Sequence, residues 1–136
     1  MKVLVLAVAL LVGCSGPGAT PVNAPTVSEP GTIAFHLDVS NQSFEVPTVR
    51  LVVAIDGSPV IDGYFHVESQ HTWVSHTFFL PPGDHQMTVL APGRGEQLNE
   101  SFLLMDELWA SLNYWSSAGS EPPFTWQTAD GPFSYM

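Results

Sequence analysis

His66, Glu68 and His71 have a spacing that is compatible with a metal site. His66 and Glu68 alternate on one face of a predicted strand, and His71 follows in the next loop. Imidazole and carboxylate groups are common ligands of Zn²⁺ and other transition ions. The pattern favours the alternative, in which His66 and Glu68 face solvent while Phe65 and Val67 point inward. We therefore expect no bound metal and no other cofactor.

The usual arrangements of catalytic residues are missing from the sequence. It has no Gly-x-Ser-x-Gly motif and no glycine-rich phosphate loop. Asp106 and Glu107 are adjacent, so on a strand they point to opposite faces and cannot work as a carboxylate pair. His76 is in phase with Val74 and Phe78, which predicts a hydrogen-bonded histidine of the core or its rim. We expect a protein that is not an enzyme.

Tryptophan residues are the better candidates for a binding surface. Four are present in a small domain: Trp73, Trp109, Trp115 and Trp126. Exposed Trp side chains stack on sugar rings or anchor a partner protein, whereas buried ones serve core and edge packing. The aromatic content therefore leaves open a carbohydrate-binding module as an alternative to a general binding or structural role.

Short alternating strands must position these side chains. Apolar residues recur with period 2 in Ile33–Val39, Val49–Ile55 and Leu108–Tyr114, and Asp56-Gly57 between two apolar runs is a hairpin signal. Turn residues recur about every ten positions. The pattern predicts an all-β fold, an immunoglobulin-like β-sandwich of about seven strands over residues 32–115. Leu103–Leu112 is rich in helix formers, so a short helix remains an alternative there.

Part of this region also resembles known small sandwich domains. The runs "VRLVVAIDGSPV" and "FFLPPGDHQMTVLAPGRG", between Val49 and Gly95, are similar to PEGA domains and to carboxypeptidase regulatory-like domains. The shared features are a strand, an Asp-Gly turn, and a Pro-Gly turn followed by another alternating strand. The resemblance implies a sandwich architecture and no particular activity.

The C-terminal segment, residues 116–136, is aromatic for a chain end. Phe124, Trp126, Phe133 and Tyr135 alternate with polar residues after a loop-like Ser-rich stretch and a Pro pair. Such side chains rarely stay in solvent. We expect the segment to fold back on the sandwich and to cover an edge or a Trp face.

The N-terminus carries the sequence of an export signal. Lys2 precedes the apolar run Val3–Val12, which is too short to span a bilayer. Leu11-Val12-Gly13-Cys14 resembles the bacterial lipobox, which implies that residues 1–13 are a signal peptide and that Cys14 is lipidated. Residues 14–31 are rich in Pro and Gly and read as a flexible linker. In Gram-negative lipoproteins an Asp after the cysteine retains the protein in the inner membrane, so with Ser15 at this position the resemblance implies the outer membrane or cell surface instead.

Charge and cysteine content restrict the partners. The formal net charge is −10, and Lys2, Arg50 and Arg94 are the only Lys and Arg residues. Such a chain cannot neutralise a row of phosphates, so a nucleic-acid partner is excluded. A single cysteine excludes an intramolecular disulfide. We expect membrane attachment through Cys14 and a protein or glycan partner in the bacterial cell envelope.

Overall fold

The structure, a computed structural model, describes residues 28–67, 72–116 and 122–135. This part of the chain is all-β. No helix in it is long and apolar enough to cross a membrane. The strands are β1 (Ile33–Asn41), β2 (Thr48–Ile55), β3 (Ser58–His66), β4 (Val74–Leu80), β5 (Gly83–Ala91), β6 (Glu96–Leu104), β7 (Leu108–Tyr114) and β8 (Phe124–Ala129).

The strands form two four-stranded sheets. The first sheet has the order β4-β1-β7-β8, and the second has the order β3-β2-β5-β6. All pairs are antiparallel except β1 with β7. Phe35 of the first sheet stacks on Phe102 of the second, with 4.4 Å between ring centroids, so the sheets face each other across the core. The all-β sandwich predicted from the sequence is confirmed, with one strand more than expected.

The core follows from the period-2 pattern. Phe35 and Leu37 of β1 are fully buried, as are Leu51 and Val53 of β2 and Met87 of β5. Side chains at alternate positions of a strand lie on one face, so each apolar set is delivered to the space between the sheets. Burying one such side chain contributes about 1.5–3 kcal/mol.

The β2–β3 hairpin turns at Asp56-Gly57, as the sequence predicted. Both residues have positive φ, 52° and 81°, the backbone that a type I′ turn requires. Asp56 also joins the hairpin to β5, since Gln86 N–H donates to its Oδ1 at 3.0 Å and His85 Nδ1 lies 2.6 Å from Oδ2. Burial raises the pKa of Asp56, but the bonds from Gln86 and His85 outweigh it and lower the pKa below its ordinary value.

The helical alternative for Leu103–Leu112 is wrong. Strand β6 continues to Leu104, and β7 begins at Leu108 after a short bend. Leu104, Ala110 and Leu112 are all buried with period 2. The demand for apolar side chains between the sheets overrides the helix propensity of this stretch.

The aromatic C-terminal segment supplies the eighth strand. Strand β8 pairs antiparallel with β7, with Leu112 opposite Trp126. Phe124 is 2% exposed, and its ring lies 5.3 Å from that of Tyr114. The sandwich therefore extends past residue 115, and the residues after β8 continue toward the outer face of the first sheet.

Candidate functional site

Polar side chains form the outer face of the first sheet. Asp38 of β1 lies opposite Ser75 of β4 on one side and Ser111 of β7 on the other. Ser75 Oγ donates to Asp38 Oδ1 at 2.6 Å. Ser111 and Asn113 are buried although both are polar and both lie on this outer face. Strand β7 is therefore covered on both faces, which the cross-strand pattern alone does not explain.

Two aromatic side chains cover that polar floor. Tyr135, six residues beyond β8, stacks on Trp73, with ring centroids 3.7 Å apart and an interplanar angle of 10°. Tyr135 Oη donates to Asp38 Oδ2 at 2.8 Å, and Trp73 Nε1 donates to Asn113 Oδ1 at 2.8 Å. Each polar group under the stack thus has a partner. We call the Trp73–Tyr135 pair the aromatic cover.

The aromatic cover changes the chemistry of Tyr135. Burial raises the pKa of Tyr135 to about 12; a bond with Ser111 opposes the rise, and the bond to the Asp38 carboxylate adds to it. The phenol therefore stays protonated far above neutral pH. It can keep donating to Asp38 under all physiological conditions.

A cleft opens beside the aromatic cover, with a volume of about 330 Å³. We call it the first-sheet cleft. It is lined by three aromatic residues, two histidines, three short polar side chains and one proline: Trp109, Phe133, Tyr135, His36, His76, Asp38, Ser75, Thr77 and Pro132. Its volume lies near the lower end of the ~300–1,000 Å³ typical of small-ligand sites.

His36 and Trp109 form a fixed wall of this cleft. Their rings are stacked with centroids 4.7 Å apart. His36 Nδ1 shares a hydrogen bond of 2.9 Å with Thr77 Oγ1, and His36 Nε2 lies 2.6 Å from Glu107 Oε1. Both ring nitrogens are thus held, so the imidazole keeps one orientation against the indole.

The charge around the first-sheet cleft disfavours anions. Asp38 lines the cleft, and the Glu107 carboxylate contacts His36 Nε2. No Lys or Arg is among its lining residues, so an anionic ligand would meet uncompensated negative charge. Asp38 accepts one bond on each oxygen, which leaves lone pairs for a further donor. The cleft suits an uncharged ligand that carries hydroxyl or amide donors.

The other histidine of the lining differs from His36. His76 is partly buried on the inner side of the edge strand β4 and stacks on Phe78, with centroids 6.1 Å apart. Burial lowers the pKa of His76, against smaller opposing contributions from backbone groups and Asp38. His76 therefore adds no positive charge beside the cleft at neutral pH, and its ring lies on the core side of β4.

The four tryptophans predicted as binding residues do not form one patch. Trp109 lines the first-sheet cleft, and Trp73 belongs to the aromatic cover. Trp126 is partly buried and packs against the core, with its ring centroid within 6.5 Å of those of Phe35 and Phe102. Trp115 is 43% exposed just after β7, and its Nε1 donates to Thr125 Oγ1 at 3.0 Å.

Only one of the three metal candidates lies in the described part of the chain. His66 is exposed at the end of β3, and its Nδ1 is 2.8 Å from Thr48 Oγ1. Glu68 and His71 lie outside the described residues. Within residues 28–67, 72–116 and 122–135, no three His, Cys, Asp or Glu side chains come together as a metal site. Cys14 and residues 1–13, which the sequence predicts to be a signal peptide, also lie outside the described residues.

Sequence reasoning missed His36, Asp38, Ser75 and Thr77 as site residues. They are the polar positions of β1 and β4, and the period-2 pattern does place them on the face opposite the core. The pattern cannot show which strands are neighbours or what lies above them. Only the return of the C-terminal segment turns this ordinary polar face into a cleft.

Comparison of the chain with protein-family models, with curated proteins and with solved structures gave no match.

Proposed function

We propose that this protein is a lipid-anchored binding module of the bacterial cell envelope that holds an uncharged sugar ring in the first-sheet cleft. One observation carries the proposal: an indole wall, an aromatic cover and a hydrogen-bonding floor converge on one surface cleft. Trp109 and Tyr135 supply the aromatic groups, and Asp38 supplies the floor.

The chemistry of a sugar ring matches these groups. One face of a pyranose presents C–H groups that pack on an aromatic ring, while its hydroxyls need acceptors and donors around the rim. Asp38 offers acceptor lone pairs, and Ser75 and Thr77 offer hydroxyls. The acidic surroundings select against carboxylated or phosphorylated ligands.

Binding to an array of neutral glycans tests the proposal. The purified protein should retain at least one neutral glycan, and Trp109→Ala should weaken that binding by about tenfold or more, the value expected for losing an aromatic contact. Trp115→Ala is the matched control, since it removes an equally large indole away from the cleft. Retention of no neutral glycan, or equal binding by Trp109→Ala and wild type, would refute the proposal.

The membrane anchor is a separate part of the proposal. The lipobox-like Leu11-Val12-Gly13-Cys14 and the Pro/Gly-rich linker after it support it. Cys14→Ser should move the protein from the membrane pellet to the soluble fraction, because serine cannot form the thioether that carries the lipid. Ser15→Ala, which keeps the cysteine, should stay in the pellet. Full membrane retention of Cys14→Ser would show that another feature holds the protein there.

A further inference from the structure

Both arginines of the chain line a single cleft on the opposite side of the sandwich. Arg50 lies on β2, and Arg94 lies in the turn between β5 and β6. The cleft has a volume of about 470 Å³. We call it the arginine cleft. Its lining combines the two guanidinium groups with one aromatic ring, one hydroxyl and an apolar remainder: Arg50, Arg94, Tyr64, Thr48, Val46, Val49, Pro92 and Gly93.

Arg50 is fixed by an ion pair and still has N–H donors available for a ligand. Its Nε and Nη2 donate to the two oxygens of Asp62 at 2.9 and 2.8 Å. This fork-to-fork pair fixes the guanidinium plane. The bond to Asp62 raises the pKa of Arg50 above its ordinary value, so it stays charged. The side chain of Arg50 remains 42% exposed. A guanidinium has five N–H donors, so it can bond a ligand while Asp62 orients it.

Arg94 is also held by polar contacts, with Ser116 and Glu96. Its Nη2 donates to Ser116 Oγ at 3.3 Å, and its Nε lies 3.5 Å from Glu96 Oε1. Its side chain is 40% exposed. These contacts are long, so they restrain Arg94 more loosely than Asp62 restrains Arg50. The guanidinium of Arg94 has further N–H donors that can bond a ligand in the cleft.

Tyr64 places a ring beside the two cations. It is directly opposite Arg50 in the β2–β3 register, and it is 68% exposed. An exposed aromatic ring beside guanidinium groups offers a flat face on which the ring of a ligand can pack. Together with Val46 and Pro92 it gives the cleft an apolar side next to its charged side.

We propose that the arginine cleft binds a carboxylate carried on a ring, of the chemical class of a uronic acid. Two guanidinium groups match the planar, bidentate geometry of a carboxylate, and Tyr64 receives the attached ring. In a chain with a net charge of −10, this is where the described surface gathers its arginines. The proposal shares no residue with the first-sheet cleft, so it stands or falls independently of the proposed function.

Asp62 is both a positioning residue and a competitor in this proposal. Its carboxylate occupies two donors of Arg50 that a ligand carboxylate also prefers. Asp62→Asn keeps the size of the side chain and removes its charge. This variant should therefore bind a carboxylate more tightly than wild type, which a purely structural Arg50–Asp62 pair would not predict.

NMR titration of the purified full chain tests the proposal with two matched probes, methyl glucuronide and methyl glucoside, which differ in the carboxylate. The glucuronide should bind at least about tenfold more tightly, as expected for charge-assisted bonds. Arg50→Gln and Arg94→Gln should each remove most of that preference, and Asp62→Asn should increase it. Tyr64→Ala should weaken glucuronide binding several-fold while leaving the charge preference in place.

Inorganic phosphate distinguishes a ring-borne carboxylate from any anion. Phosphate should bind more weakly than the glucuronide, because it has no ring for Tyr64. Three results would overturn the proposal: equal binding of glucuronide and glucoside, phosphate binding as tight as that of the glucuronide, or unchanged glucuronide binding in both arginine variants. The Leu103→Ala variant is the control: Leu103 is exposed and lines neither cleft, so this variant should bind the glucuronide like wild type.

Discussion

Polar side chains on the outer faces of the two sheets find their hydrogen-bond partners in different ways. On the second sheet, neighbouring side chains pair with each other in the open, as Gln86 Nε2 does with Ser101 Oγ at 2.7 Å. On the first sheet, Ser111 and Asn113 are buried under Trp73 and Tyr135. When the polar side chains of a face hydrogen-bond to each other or to solvent, no further chain segment has to pack over them. A covered face gains rigid walls, and a cleft forms where the cover ends.

The two clefts differ in charge because different residues line them. The first-sheet cleft is built from Asp38 and from aromatic groups that the C-terminal segment brings in. The arginine cleft is built on the uncovered second sheet, from residues of β2, β3 and the β5–β6 turn. The comparison shows that one small acidic sandwich presents an aspartate-lined aromatic cleft and an arginine-lined cleft on separate surfaces.

The largest effect is expected where the C-terminal segment enters the core. Phe124→Ala should lower the free energy of unfolding by about 3–5 kcal/mol, because it leaves a buried cavity beside the ring of Tyr114. Phe44→Ala is the matched control, since Phe44 is 66% exposed, and it should change stability by less than about 0.5 kcal/mol. Urea unfolding measures both, and equal effects would mean that β8 does not belong to the cooperative core.

A smaller effect is expected at the aromatic cover. Tyr135→Ala should cost about 1–2 kcal/mol, because a partly buried ring and its bond to Asp38 are lost together. Tyr64→Ala on the second sheet removes an equally large ring from an uncovered position and should leave the free energy of unfolding nearly unchanged. If the two variants lost equal stability in urea, the contrast between covered and uncovered faces would fail.

The smallest effect is a change in the alkaline stability profile. The ordinary pKa of tyrosine is 10.0, and the pKa of Tyr135 in the folded protein is about 12. The phenol is neutral in both states below pH 10, and above it the unfolded chain ionises first. Stability from this group is therefore fully present below pH 10 and is lost as the pH rises toward about 12. Tyr135→Phe should lose less stability than wild type over this interval in urea unfolding; an unchanged slope would contradict the aromatic cover.

The strands were largely predictable because their information is local. Alternation in Ile33–Val39 and Val49–Ile55 reports directly which side chains face the core, and Asp56-Gly57 encodes its own turn. The sites were less predictable because their information is not local. For example, the hydrogen bond between Tyr135 and Asp38 joins residues that are 97 positions apart in the sequence.

The arginine cleft shows the same limit. Arg50 and Arg94 read as isolated charges in the sequence, and only the β2–β5 pairing and the turn after β5 bring them to one surface. Among the tryptophans, the sequence pattern could not separate Trp126, which packs against the core, from Trp73, which stacks on Tyr135 on the outer face of the first sheet. The sequence shows which residue types are present, but the order of the strands in the sheets determines which of them become neighbours.

One NMR experiment tests the central claim that the two clefts select ligands by charge. The labelled protein is titrated separately with the tightest neutral oligosaccharide from the array and with methyl glucuronide. The account predicts that the neutral ligand shifts the Trp109 indole signal and leaves the Arg50 and Arg94 Nε signals in place, while the glucuronide does the reverse. Shifts of the same group of signals by both ligands, or no shift at Trp109 with the neutral ligand, would contradict it.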